Sequence, residues 1–83
     1  MISMDMTQVA QTIEAILFAM GDAVEIADIA SSLEIEEDKV REGAKLLHEK
    51  YSSNDSGIRL IEIANCYQLS SNPACYEYIK KVS

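Results

Sequence analysis

The chain has 83 residues, of which 48% are apolar and 25% are charged, so its size and composition indicate one globular domain. A chain this short buries only about 60% of the surface that its unfolded form exposes, and docking against a copy of itself would add stability. No apolar run approaches the roughly 20 residues that span a bilayer, and an N-terminus with Asp5 and no Lys or Arg does not resemble a signal peptide. We therefore expect a small cytosolic domain without membrane contact.

The net charge of −7 is distributed unevenly along the chain. The segment from Met1 to Asp38 holds nine acidic residues and no Lys or Arg, whereas the segment from Lys39 to Ser83 holds seven basic and five acidic residues. Binding to a nucleic-acid backbone requires clustered cations that displace counterions. The charge pattern therefore predicts no direct nucleic-acid binding.

The residues that usually carry chemistry are few and dispersed. Cys66 and Cys75 are too few for a disulfide scaffold and lack CxxC spacing, so we expect reduced structural thiols. The one histidine, His48, is expected on the solvated surface, and the three glycines stand alone, which excludes a phosphate-binding loop. The sequence thus predicts no catalytic, metal, cofactor-binding or small-molecule site.

The first predicted element is a helix over about residues 7–20. Either Asp5 with Gln8, or Thr7 alone, can cap its first free amides, and Gly21 is a natural left-handed stop. Its apolar stripe has helical spacing and consists of Val9, Ile13, Ile16, Leu17 and Met20.

Two more helices follow after short links. Residues 22–25 form a short connection that can contain one extended pair, and the spacing of apolar residues predicts a second helix over about 26–33. A tight link at 34–35 leads to a third helix over about 36–51, whose acidic start suits the helix dipole. Its predicted buried stripe is Val40, Ala44, Leu47 and Tyr51.

A hairpin and a last helix complete the pattern. Strands are predicted over about 58–64 and 67–71, and Asn65-Cys66 separates them as a tight turn. Asn72-Pro73 then provides a cap and a first-turn proline for a helix over about 73–82.

The order of elements predicts an α+β winged helix-turn-helix, with three helices, a two-stranded wing and a C-terminal helix. The domain covers residues 7–83 after a short tail of residues 1–6.

A DNA-binding winged-helix transcriptional regulator is the alternative function. Its recognition helix would enter the major groove with basic or amide side chains leading. Here residues 36–51 sum to −1, from five acids and four bases, and the helix begins with Glu36, Glu37 and Asp38. Its cations are better interpreted as a solvated face with pairs such as Glu37 and Arg41.

Two features suggest a protein contact surface. The first wing strand is apolar on both faces, with Ile58 and Leu60 on one face and Ile61 and Ile63 on the other. Phe18 lies off the apolar stripe of the first helix. Either other elements of the domain cover these side chains, or Phe18, Ile61 and Ile63 contribute to a homodimer or partner interface.

Three segments of the chain carry a family resemblance. They are Ile13 to Val24, then Asp28 to Leu33 with Glu36 to Val40, then Gly57 to Ala64 leading into Tyr67-Gln68-Leu69. Together they resemble the N-terminal winged-helix domain of segregation and condensation protein B, over nearly the whole chain.

The resemblance implies a function. Such proteins are non-catalytic accessory subunits of the bacterial Smc complex, lie in the cytoplasm on the nucleoid, and assist chromosome condensation and segregation. They form homodimers, largely through this domain, and bind the kleisin subunit ScpA and through it Smc. Family members usually have glycines in the wing turn and carry a second winged-helix domain, which is not present in this sequence.

Overall fold

The computed structural model describes residues 4–53 and 55–83, among which it places four α-helices and three β-strands. The helices are α1 (Met6–Met20), α2 (Ile26–Leu33), α3 (Glu37–Ser52) and α4 (Tyr76–Val82). The strands are β1 (Val24–Glu25), β2 (Ile58–Ile63) and β3 (Cys66–Ser71), and a 3-10 helix, Pro73–Cys75, precedes α4. Half of the expected tail, residues 1–3, lies outside the described residues.

The first helix begins one residue earlier than predicted because Asp5 caps it. The Asp5 carboxylate accepts a hydrogen bond from the backbone N–H of Gln8 at 2.8 Å, and the Gln8 side chain accepts one from the Asp5 N–H at 3.0 Å. The reciprocal pair satisfies two amides that would otherwise lack partners. At the other end Gly21 adopts φ 68°, and the helix stops there as predicted.

The second and third helices start without a side-chain cap. Glu25 and Glu36 both adopt extended backbone at the cap position, and neither side chain bonds to the helix. The predicted start of α3 at residue 36 is therefore wrong by one residue, since Glu36 precedes the first helical residue, Glu37. Between the helices, Glu34 adopts φ 57° and ends α2 with a left-handed cap.

The three strands form one antiparallel sheet in the order β1-β3-β2. The extended pair expected between the first two helices is β1, which pairs Val24 with Tyr67. The tight turn of the hairpin is formed by Ala64 and Asn65, at φ 49° and 65°, instead of Asn65 and Cys66. Strand β2 therefore ends at Ile63, and β3 begins at Cys66, which pairs with Ile63.

The core lies between α1, α2, α3 and the inner face of the sheet. Its buried side chains are Val9, Ile13, Leu17, Ile26, Ile29, Ala30, Val40, Ala44, Leu47, Tyr51, Leu60 and Tyr67. The predicted stripe of α3 is wholly buried, whereas Met20, at the end of the α1 stripe, remains 63% exposed. Gly43 allows α1 and α3 to approach closely, since a Cβ there would lie 2.6 Å from Val9 Cγ1.

The C-terminal segment differs from the continuous helix predicted over 73–82. Asn72 accepts a hydrogen bond from the Ala74 N–H at 3.0 Å, and Pro73 opens a 3-10 helix before α4. None of the residues of α4 is buried. The described chain is elongated, with extents of 46 × 22 × 20 Å.

Candidate protein-interaction surfaces

The three residues predicted at a protein interface occupy two separate surfaces. Phe18 is 81% exposed on α1, and Ile63 is 59% exposed near the tip of the wing. Ile61 is half-buried on the same strand face as Ile63, opposite the face that carries the buried Leu60. The structure therefore brings Ile61 and Ile63 together and leaves Phe18 on another side of the domain.

Phe18 lies at a shallow depression of about 390 Å³ between α1 and the open end of the hairpin. We call this depression the Phe18 pocket. Its lining is mainly apolar and consists of Gln11, Glu14, Ala15, Phe18, Tyr51, Ile58 and Leu69. Ile58 and Leu69 extend from the core face of the sheet, but Ile58 remains 40% exposed. The pocket is thus an open margin of the hydrophobic core.

A polar cluster lies at one rim of the Phe18 pocket. The Tyr51 hydroxyl donates a hydrogen bond to Glu14, and Lys50 Nζ lies 3.1 Å from Glu14 Oε2. The Tyr51 hydrogen bond and Lys50 lower the pKa of the Glu14 carboxyl. Burial and the Glu14 charge raise the pKa of Tyr51 to about 12. The cluster ties α1 to the end of α3 and fixes the rim of the pocket.

The outer face of the wing offers the second surface. Antiparallel pairing sets Ile63 opposite Cys66 and Ile61 opposite Gln68 on this face. Arg59 lies on the same face, and its guanidinium donates to the backbone carbonyl of Tyr51 at 3.0 Å. Since Ile63 stays exposed, the domain's own helices do not cover the tip of this face.

A third apolar surface runs along α4. Tyr76, Tyr78, Ile79 and Val82 are 57%, 69%, 43% and 90% exposed, respectively. The sequence predicts an apolar stripe on this helix but does not mark the stripe as an interaction surface. The available signal is that Tyr76, Ile79 and Val82 repeat every three residues.

The helix at the DNA-reading position presents acids and ion pairs. Glu36, Glu37 and Asp38 are all exposed at its start. Arg41 Nη1 lies 3.3 Å from Glu62 Oε2 on the wing, so the expected Glu37–Arg41 pair is wrong. The sequence could not reveal this partner, because residues 41 and 62 meet only once β2 packs beside α3. His48 is exposed and its ring nitrogen lies 3.4 Å from the Ser52 hydroxyl.

Residues 4–53 and 55–83 contain no group of three metal-binding side chains. No helix within the same ranges is long and apolar enough to cross a membrane.

Comparison of the sequence with known proteins gives consistent matches. The family model for the segregation and condensation complex subunit ScpB matches residues 11–83. Segregation and condensation protein B of Lachnoclostridium phytofermentans is 36% identical over 80 residues, which cover 96% of this chain and 42% of that protein. The chain spans about two fifths of the length of the curated relatives it matches.

Two solved structures share the fold. The crystal structure of a dimer of the ScpB N-terminal domain complexed with a ScpA peptide has a TM-score of 0.86 and 27% identity to this chain. That match covers 92% of this chain and 95% of the other. ScpB of Mycobacterium tuberculosis has a TM-score of 0.89 at 20% identity, covering 98% of this chain and 51% of that one. The predicted winged-helix fold and the family resemblance are confirmed.

Proposed function

Because the chain belongs to the family of the segregation and condensation complex subunit ScpB, we propose that it is a non-catalytic accessory subunit of the bacterial Smc condensin-like complex. In this role it forms a homodimer and binds the kleisin ScpA, and through ScpA it joins Smc. It acts in chromosome condensation and segregation, at the nucleoid in the cytoplasm. The fold contributes binding surfaces and no chemistry.

One observation carries the proposal. The solved dimer with a ScpA peptide consists of the ScpB N-terminal domain, and this chain covers 95% of it with a TM-score of 0.86. The chain therefore corresponds to nearly all of a unit that dimerises in a relative. The same unit is present in the complex with the kleisin peptide.

We assign the interface to the apolar side chains Phe18, Ile61 and Ile63. A protein that binds both a second copy of itself and a kleisin can use a separate apolar surface for each partner. Exposed aromatic and aliphatic side chains that cluster on a small domain usually mark protein contacts.

The charges oppose the DNA-binding alternative. The first turn of α3 is acidic. In the same helix, Arg41 Nη1 lies 3.3 Å from Glu62 Oε2 and forms an ion pair with it. The segment from Met1 to Asp38, which holds nine acids and no Lys or Arg, would repel a phosphate backbone.

Calorimetric titration of the chain with the kleisin of the same organism tests the proposal. We expect a complex with micromolar or tighter affinity. Phe18→Glu or Ile63→Lys should weaken assembly, whereas Ala19→Glu, at the exposed neighbour of Phe18, should not.

A fluorescence-anisotropy titration with labelled duplex DNA at physiological salt should stay flat. Absence of heat with the kleisin, together with DNA binding that weakens steeply with salt, would support the regulator instead.

A further inference from the structure

Strand β2 is an edge strand, because β3 is its only partner strand among the described residues. The two-residue turn at the wing tip makes Ile63 and Cys66 a hydrogen-bonded pair. Before the other end of the strand, the Asn72 N–H donates to the Gly57 carbonyl at 2.7 Å. Both ends therefore direct the backbone groups of the odd-numbered residues of β2 towards β3. The N–H and C=O groups of its even-numbered residues point away from the sheet.

One of these even-numbered residues already has partners inside the domain. The Ile58 N–H donates to the Ser56 hydroxyl oxygen at 3.0 Å, and this hydroxyl donates to the Ile58 carbonyl at 3.0 Å. The Arg59 guanidinium also donates to the Ile58 carbonyl at 3.1 Å. In the part of the chain that the structure describes, no backbone group outside the β2–β3 pairing bonds to Leu60 or Glu62. The open part of the edge thus consists of the N–H and C=O groups of these two residues.

The open part of the edge faces a groove of about 490 Å³ between α3 and β2. We call it the α3–β2 groove. Leu60 and Glu62 line it on the strand side, and Arg41, Lys45 and His48 line it on the helix side. A strand added to a sheet lies about 4.8 Å from its neighbour. An extended segment bonded to Leu60 and Glu62 would therefore lie in this groove.

The α3–β2 groove carries one surplus positive charge. Its lining contains two cations, Arg41 and Lys45, and one acid, Glu62, so with neutral His48 its net charge is +1 in a chain of net charge −7. Arg41 and Glu62 pair with each other at 3.3 Å. Lys45 is exposed and forms no ion pair with an acid among the described residues. The charge that remains to be matched is therefore that of Lys45.

Strand geometry determines which side chains the groove would accept. Residues directly opposite each other on paired strands share one face of the sheet. A residue opposite Leu60 would point to the α3 side, where Lys45 lines the groove, so an acidic side chain suits this position. The next residue lies opposite Ile61, on the outer face that also carries the exposed Ile63. An apolar side chain suits that position.

We propose that β2 binds an extended segment of a partner protein, with alternating acidic and apolar residues, by strand addition in the α3–β2 groove. Backbone hydrogen bonds to Leu60 and Glu62 hold the segment, and Lys45 selects its acidic side chains. The proposal goes beyond the proposed function, because neither homodimerisation nor kleisin binding requires backbone pairing at this edge.

A labelled peptide tests the backbone pairing by fluorescence anisotropy with the whole chain. The probe has about seven residues, alternates glutamate with valine and is capped at both ends. N-methylation of its central glutamate amide removes a donor to β2 and should weaken binding by about tenfold or more. N-methylation of the adjacent valine amide, which points away from β2, is the matched control and should change the dissociation constant by less than about twofold.

Charge reversal tests the role of Lys45. Lys45→Glu should weaken binding of the glutamate peptide by about tenfold and should favour a peptide that alternates lysine with valine. Lys39→Glu makes the same charge change on α3 outside the groove lining, and should retain the preference for glutamate. Both residues are exposed, so circular dichroism should match the wild type.

Amide hydrogen exchange measured by NMR locates the pairing. The bound peptide should slow exchange at Leu60 and Glu62 by about tenfold or more and leave Ile61, which already bonds to β3, nearly unchanged. Equal effects of the two N-methylated peptides, or no slowing at Leu60 and Glu62, would overturn strand addition. A single-stranded oligonucleotide of the same charge that binds as tightly as the peptide would overturn the choice of occupant. Each of these failures leaves the proposed function intact, since homodimer and kleisin binding are measured separately.

Discussion

Leu46 and Leu47 are adjacent in α3 but differ in burial, and we expect them to differ in their contribution to stability. Leu47 is 2% exposed in the core, whereas Leu46 is 42% exposed. We predict that Leu47→Ala lowers the free energy of unfolding by about 2–5 kcal/mol, through lost transfer energy and a residual cavity. Leu46→Ala should lower it by less than about 1 kcal/mol. Urea titrations measure both values, and equal midpoints for the two variants would show that the helix faces are wrongly assigned.

The Glu14–Tyr51 contact makes stability depend on pH. The folded protein holds the Glu14 pKa below its ordinary value of 4.5, so ionisation of this carboxyl favours the folded state. That stabilisation is complete above the unfolded pKa and is lost as the pH falls from 4.5 through the folded pKa.

Tyr51→Phe removes the hydrogen-bond donor, so its urea midpoint should fall less than that of the wild type when the pH is lowered from about 6 to 4. Tyr78→Phe, at an exposed tyrosine of α4, should retain the wild-type dependence. Identical slopes for the wild type and Tyr51→Phe would remove Tyr51 from this role.

Burial of individual residues was predictable where periodicity was strong. Val40, Ala44, Leu47 and Tyr51 follow helical spacing, and all four are buried. The side-chain partners that residues meet across the fold were not predictable, because spacing along one helix identifies only candidate partners four positions away. Tyr51, for example, reaches Glu14 from 37 positions away.

At the scale of elements, the contact between α1 and α3 depends on Gly43. The sequence indicates only a helix-weakening glycine, which costs about 1 kcal/mol relative to alanine. A Cβ at this position would lie 2.6 Å from Val9 Cγ1 and 3.2 Å from Ile13 Cδ1.

Overpacking of this kind typically costs about 1–3 kcal/mol. We therefore predict that Gly43→Ala destabilises the protein despite the higher helix propensity of alanine. The exposed substitution Glu49→Ala should change stability by less than about 0.5 kcal/mol. A thermal melt of Gly43→Ala at or above the wild-type temperature would mean that the helices separate at little cost.

The hairpin turn has an avoidable strain. Ala64 adopts φ 49°, a left-handed conformation that costs a non-glycine residue roughly 1–2 kcal/mol. Ala64→Gly should raise the free energy of unfolding by about 0.5–1 kcal/mol after the entropy of glycine is subtracted.

Ala23→Gly is the matched control, since Ala23 is a loop residue without positive φ, and it should lower stability slightly. Chemical denaturation compares the two variants. An unchanged or lower stability of Ala64→Gly would indicate that the turn does not strain the wing.

The existence and the order of the helices and strands could be predicted from the sequence, whereas the residues at which they end depended on local chemistry. The predicted turn at Asn65-Cys66 was wrong by one residue, because Ala64 and Asn65 adopt the left-handed backbone of the turn. Alanine disfavours this conformation, so the sequence did not indicate Ala64 as a turn residue. The break at Pro73–Cys75 was missed because a proline at a helix start is compatible with both 3-10 and α geometry.

At the scale of the whole molecule, large exposed apolar side chains lie on three separate surfaces. Phe18 lines the Phe18 pocket, Ile63 lies near the wing tip, and Val82 lies at the end of α4. The sequence indicated Phe18 because it lies off the apolar stripe of α1, and Ile63 because the first wing strand is apolar on both faces. It could not indicate that α4 lacks a partner, because that depends on the direction in which the chain leaves β3.

Sedimentation velocity of the purified chain, alone and with the kleisin, tests the central claim most directly. At micromolar concentration we predict a species with twice the mass of the 9.2 kDa chain, and a larger species that contains both proteins when the kleisin is added. A single 9.2 kDa species at the highest concentration, unchanged by the kleisin, would contradict the claim.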